Sequence, residues 1–179
     1  MSTGMVVPWR SGLALAALAP FVPEVVAWAV PEGVVDDEPG LALWLLTLLL
    51  VGLNEEMFSR GIVLTSLRRA YHPLPAVAIT GALFGLQHFS ALVLTSWGFG
   101  DVAMNVLLSA TFGFALAAYQ FRFAWLWPLA LLHGLADWTT VLTANPLPDW
   151  AIGIVCTPFT SATDSGSSAP PRERVDSAQ

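Results

Sequence analysis

The chain has 179 residues, of which 55% are hydrophobic and 11% charged, whereas a soluble domain carries about a quarter charged residues. With a mean hydropathy of +0.65, this excludes an ordinary water-soluble globule. A net charge of −6 without a single lysine excludes a nucleic-acid partner, because no basic stripe exists to neutralise phosphates.

A lone cysteine, Cys156, allows neither an intramolecular disulfide framework nor a cysteine metal cage. The fold expected is therefore all-α: a polytopic transmembrane helix bundle of about five spans around an interior polar cavity. A spanning helix needs about 20 predominantly apolar residues. Segments of that kind run over 11–30, 41–67, 74–94, 102–121 and 124–143. Residues 1–40 form an N-terminal transmembrane helix and an external loop. Residues 41–143 form the core, the apolar piece 144–159 is too short to cross and lies at the interface, and 160–179 form a disordered tail rich in Ser, Asp, Pro and Arg. Pro20, Pro23 and Glu24 interrupt the first segment, which weighs against reading it as a cleavable signal peptide.

Arginine placement sets the orientation, since short cytoplasmic loops accumulate positive charge. Arg10, Arg68, Arg69 and Arg122 fall on one side if the spans alternate, while Glu32, Asp36, Asp37, Glu38 and Asp101 fall on the other. The N-terminus is then cytoplasmic, in a plasma membrane of bacterial type. Seven of the eight tryptophans lie near expected span ends, where indole rings favour the headgroup layer; Trp138 is placed inside a span.

The informative residues are ionisable groups within spans: Glu55, Glu56, Arg60, His88, His133 and Asp137. A charge at the bilayer centre costs about 2.5–3.5 kcal/mol on insertion scales, so these groups must face a protein interior or a watery cavity. Glu56 and Arg60, at i and i+4, share a helix face and can pair, while Glu55 points about 100° away. His133 and Asp137 share a face in the same way, as do Phe84 and His88. Counted from their span midpoints, Glu55, His88 and His133 lie within about one helical turn of a common level. Gly81 and Gly85 form a small-xxx-small pair suited to close helix packing, Phe84 is read as core, and His72 as a solvated loop residue.

Three motifs stand in order on separate spans: Glu55-Glu56-Met57-Phe58-Ser59-Arg60, Phe84-Gly85-Leu86-Gln87-His88, and His133-Gly134-Leu135-Ala136-Asp137. They resemble the EExxxR, FxxxH and HxxxN/D motifs of the CAAX protease and bacteriocin-processing (CPBP, or Abi) family of intramembrane proteases, over about residues 41–143. Many members of that family carry Phe immediately before the arginine, where this chain has Ser59. It also has fewer spans than the eukaryotic prenyl-protein endopeptidases.

The resemblance implies hydrolysis of a peptide bond in a membrane-associated substrate, of prenylated CAAX type or of signal or bacteriocin type. Its partners are then membrane lipid and that peptide or protein. Peptide hydrolysis needs an activated water and a site for the developing oxyanion. Glu55 is the expected general base, with His88 polarising the water, His133 and Asp137 serving the tetrahedral intermediate, and Glu56 with Arg60 holding the helix and tuning Glu55. In a metal version, zinc is held by His88, His133 and Glu55 or Glu56, leaving one position for water, and the other glutamate is the base. A glutamate-activated water without metal is equally coherent. Outside the protease class stand a non-enzymatic immunity or scaffold protein and a proton-coupled transporter, although no internal repeat of the transporter kind is present.

Overall fold

The computed structural model describes residues 12–27 and 33–143; the expected interfacial piece, the tail, and Arg10, Glu32 and Cys156 lie outside them. The described residues are helical, with short α1 (Gly12–Ala16) and α2 (Val22–Ala27) followed by α3 (Leu41–Leu67), α4 (Pro73–Leu94), α5 (Phe99–Phe123) and α6 (Leu126–Val141). Helices α3, α4 and α5 are long and apolar enough to cross a membrane, and the fold is an all-α membrane helix bundle. The other two expected spans are present as shorter helices. The first is broken by a turn at Ala17 and Leu18 and a 3-10 turn at Ala19–Phe21, where Pro20 lacks the N–H that a continuous helix needs. The last begins late because Ala124 adopts a left-handed φ of 54° that ends α5. With 16 residues, α6 is about 24 Å long.

Two antiparallel helix pairs make the frame. Along α4 and α5, a Cβ on Gly81 would stand 2.8 Å from the Phe114 backbone, and one on Gly85 2.5 Å from the Val106 carbonyl. The small pair read from the sequence is thus a close-packing seam. Between α3 and α6, a Cβ on Gly134 would meet Leu49 Cα at 2.7 Å, and one on Gly52 would meet the Gly134 backbone at the same distance. Trp138 closes the far end of this pair, donating its indole N–H to the Leu41 carbonyl at 3.1 Å. It therefore ties the end of α6 to the start of α3, not the middle of a span as the sequence implied.

Helix ends follow local chemistry. The Asp36 carboxylate accepts the Leu41 N–H at 3.0 Å, and Asp101 accepts the Gly98 N–H at 3.2 Å, each placing a negative charge at a helix N-terminus. Pro73 opens α4, where its missing N–H is an orphan anyway. Beside α6, Val34 and Thr143 form an isolated antiparallel bridge that the sequence did not announce.

Charge divides the ends of the bundle. Arg68 stacks on the Phe121 ring at 4.3 Å and Arg122 on Phe123 at 5.4 Å, so both arginines and the exposed Arg69 and His72 sit at one end. Asp36, Asp37, Glu38 and Asp101 sit at the other. The arginine half is closed by apolar packing of Phe21, Leu116, Tyr119 and Leu129, and of Leu64, Ala76, Val77 and Ala117. Leu46, Leu50, Ile62, Leu83, Leu107 and Leu131 remain exposed on the outer surface, as lipid-facing positions do.

Candidate active site

The first motif spans a change of helix type. Helix α3 is α-helical over Leu41–Glu56 and π-helical over Met57–Val63, with the Leu64 N–H donating to the carbonyl of Ser59, five residues back. Short π segments inside α-helices are frequent at functional sites. Leu48, Gly52 and Glu56 form the buried α-helical stripe, and the wider turn carries burial on to Ser59 and Arg60 while Phe58 faces outward.

Glu56 and Arg60 are fully buried, with Arg60 Nη1 2.9 Å from Glu56 Oε1. That N–H is not aligned for a hydrogen bond, so the contact is an ion pair. Arg60 Nη2 donates to the Gly113 carbonyl at 3.0 Å, and the guanidinium lies 4.3 Å over the Phe84 ring. One cation is thus matched by a carboxylate, a carbonyl and an aromatic face, which is how a charge survives in such surroundings.

The same Glu56 oxygen lies 3.0 Å from His133 Nδ1. A carboxylate only accepts, so Nδ1 carries the proton and donates. This fixes the ring, and Nε2 looks the other way, 3.7 Å from Glu55 Oε2 and 3.7 Å from Asp137 Oδ2. Their side chains are 27% and 32% exposed against 6% for His133, so Nε2 and the two carboxylates form the open face of the cluster. From the sequence, Glu56 is expected, with Arg60, to hold its own helix and tune Glu55. In the fold it also orients His133, because α6 approaches α3 closely at Gly134.

His88 joins through an aromatic intermediary. Its Nδ1 donates to the Phe84 carbonyl at 3.0 Å, leaving Nε2 as an acceptor. The Phe84 ring lies 5.5 Å from the His88 ring and 5.6 Å from that of His133, and Phe112 makes a second edge contact to His133 at 5.6 Å. His88 is near enough to Asp137 to interact electrostatically. The structure therefore gathers Glu55, Glu56 and Asp137 around His133, joins Arg60 to them through Glu56, and brings His88 in by way of Phe84. That ring, read as core from the sequence, links both histidines to the arginine. Phe112 and the Gly113 carbonyl on α5 were missed, because an apolar ring and a backbone oxygen carry no sequence signal.

Among the described residues, no group of three or more His, Cys, Asp or Glu side chains is arranged to hold a metal ion. The Glu56 oxygen nearest His133 is already shared with Arg60. As they are placed, His88, His133 and Glu55 do not form a ready zinc ligand set.

The family described as type II CAAX prenyl endopeptidase, Rce1-like, matches residues 37–139. The chain belongs to that family. It is, in general terms, an intramembrane protease, and the matched region contains all three motifs and every site residue named above. No curated protein and no solved structure matches the chain.

Proposed function

We propose that the protein is a glutamate-dependent intramembrane endopeptidase that cleaves a membrane-associated peptide, of prenylated CAAX type or of signal or bacteriocin type. The observation that carries this reading is the arrangement around His133: one nitrogen is bonded to a buried carboxylate, and the other faces two part-exposed carboxylates at 3.7 Å. A scaffold needs the buried Glu56–Arg60 pair but has no use for an open face with an oriented imidazole.

Glu55 takes a proton from a water that also donates to His88 Nε2, and the resulting hydroxide attacks the scissile carbonyl carbon. In its doubly protonated form His133 donates to Glu56 through Nδ1 and to the oxyanion through Nε2. Asp137, 3.7 Å from the same Nε2, keeps that nitrogen directed at the open face. The C–N bond then breaks as Glu55 returns its proton to the leaving amine, so the carboxylate is regenerated and one water is consumed. The N-terminus faces the cytoplasm of a bacterial-type cell in this reading, with membrane lipid and the substrate peptide as partners.

The experiment is cleavage of a panel of prenylated and transmembrane peptides by purified protein in detergent. Glu55→Gln keeps volume and hydrogen bonding, and its expected turnover is lower by about 10²- to 10⁴-fold at an unchanged melting temperature. A fully active Glu55→Gln sinks the mechanism. Chelator and added zinc form a second arm: activity unchanged by both is expected, and activity that chelator removes and zinc restores overturns the metal-free route.

A further inference from the structure

One polar feature of the membrane-spanning region takes no part in this chemistry. On α5, Ser109 Oγ donates to Asn105 Oδ1 at 3.4 Å, and both side chains are half-buried. Residues 105, 109 and 112 lie at i, i+4 and i+7, on one helix face, and Phe112 of that face touches His133. Asn105 and Ser109 therefore continue the His133 side of α5 toward the acidic end of the bundle.

The level of Asn105 follows from the packing of α5 on α4. Gly81 faces Phe114, Gly85 faces Val106 and Ala110, and Gly113 faces Phe84. In this antiparallel pair the His88 backbone therefore stands near the turn after Asn105, while its ring, bonded to the Phe84 carbonyl one turn back, reaches toward the level of Phe84 and Phe112, where the chemistry takes place. The seven residues from Asn105 to Phe112 span about 10 Å along the axis. An extended peptide covers that distance in about three residues. The opposite, arginine half of the bundle is closed by the two apolar clusters, whereas Glu55, Asp137 and His88 are all partly exposed.

The geometry points to Asn105 as a substrate-positioning residue that hydrogen-bonds the peptide backbone about three residues from the scissile bond, with Ser109 setting its orientation. Because the Ser109 hydroxyl is directed at Oδ1, the amide is turned so that its Nδ2 donors are presented to a substrate carbonyl. An extended peptide in a membrane site has unpaired carbonyls that must find donors, since no lipid group replaces water there. Such a contact favours peptides long enough to reach it, whatever their side chains. The inference rests on the endopeptidase reading above.

The test measures binding of fluorescent peptides to the Glu55→Gln protein in detergent, so that no turnover intervenes. A cleavable peptide is shortened one residue at a time from each end. On one side, removal of the third residue from the scissile bond is expected to weaken binding about tenfold, the upper worth of one neutral hydrogen bond. Asn105→Leu is expected to abolish that step while leaving the shortest peptides bound as before. A step of the same size in Asn105→Leu overturns the inference, and so does a uniform loss across all peptides, which marks a structural role.

Should Asn105→Leu fail to fold, Ser109→Ala decides by the same series, with a loss of about threefold expected at the third residue and an unchanged series counting against it. If the wild type cleaves no peptide, or Glu55→Gln remains active, the endopeptidase reading fails and this inference falls with it. If those controls behave and only the Asn105 and Ser109 results are flat, this inference alone is lost.

Discussion

Arg60 illustrates how a full charge is accommodated at a position with no exposure. Its partners come from three helices: Glu56 on its own, Phe84 on α4 and Gly113 on α5. Removing one member of a buried pair leaves the other uncompensated, at a cost of about 3–5 kcal/mol. Arg60→Met is accordingly expected to destabilise the protein by that amount in detergent unfolding, and the double variant Arg60→Met/Glu56→Gln to recover a large part of it. Equal stability of Arg60→Met and wild type would show that the pair is not coupled. The i,i+4 spacing made the Glu56–Arg60 pair legible in the sequence. The second bond of Glu56, to His133, was not legible, because it joins residues 77 positions apart and depends on how α3 meets α6.

At the scale of elements, backbone proximity decides whether the site exists. His133 reaches Glu56 because its neighbour Gly134 lets α6 press against Leu48 and Leu49 of α3. A Cβ at Gly134 would meet backbone atoms at 2.7 and 2.8 Å, which no side-chain rotation relieves. Gly134→Ala is therefore expected to push the helices apart, lower stability by about 1–3 kcal/mol and reduce peptide cleavage at least tenfold. Gly61→Ala is the matched control, since nothing lies within 4 Å of its Cβ position, and it should retain wild-type melting and activity. A Gly134→Ala protein with normal cleavage would mean that the His133–Glu56 contact is not needed. The π-helical segment Met57–Val63 is another property of this scale. Hydropathy marks 41–67 as one apolar stretch and is blind to which carbonyl each N–H selects.

At the scale of the whole molecule, an asymmetric charge distribution accompanies an asymmetric interior. The arginines Arg68, Arg69 and Arg122 stand at the apolar-packed end, and the acidic residues at the end toward which the polar face continues. Positive charge near the bilayer stays on the cytoplasmic side, so the arginine end is expected to face the cytoplasm. In a Cys156→Ser background, Arg69→Cys should react with a membrane-impermeant maleimide only in inside-out vesicles, and Glu38→Cys only in right-side-out ones. The reverse pattern would invert the topology and, with it, the side from which substrate enters.

The sequence by itself determined that this chain lives in a membrane, where its long helices run, and which ionisable residues had to be gathered away from lipid. Those conclusions rest on local quantities, namely apolar run length, the cost of burying charge, and i,i+4 spacing, and the fold respects them over 41–67 and its two neighbours. Tertiary structure alone decided the wiring of the site: Glu56 rather than Asp137 bonded to His133 Nδ1, Phe84 standing between the two histidines, and Gly113 and Phe112 of α5 completing the enclosure. It also decided that the first expected span is interrupted and the last is short. The physical reason is that each of these features depends on the distance between two helix backbones, set by glycines and ring stacking on different spans, which no pattern along a single helix encodes.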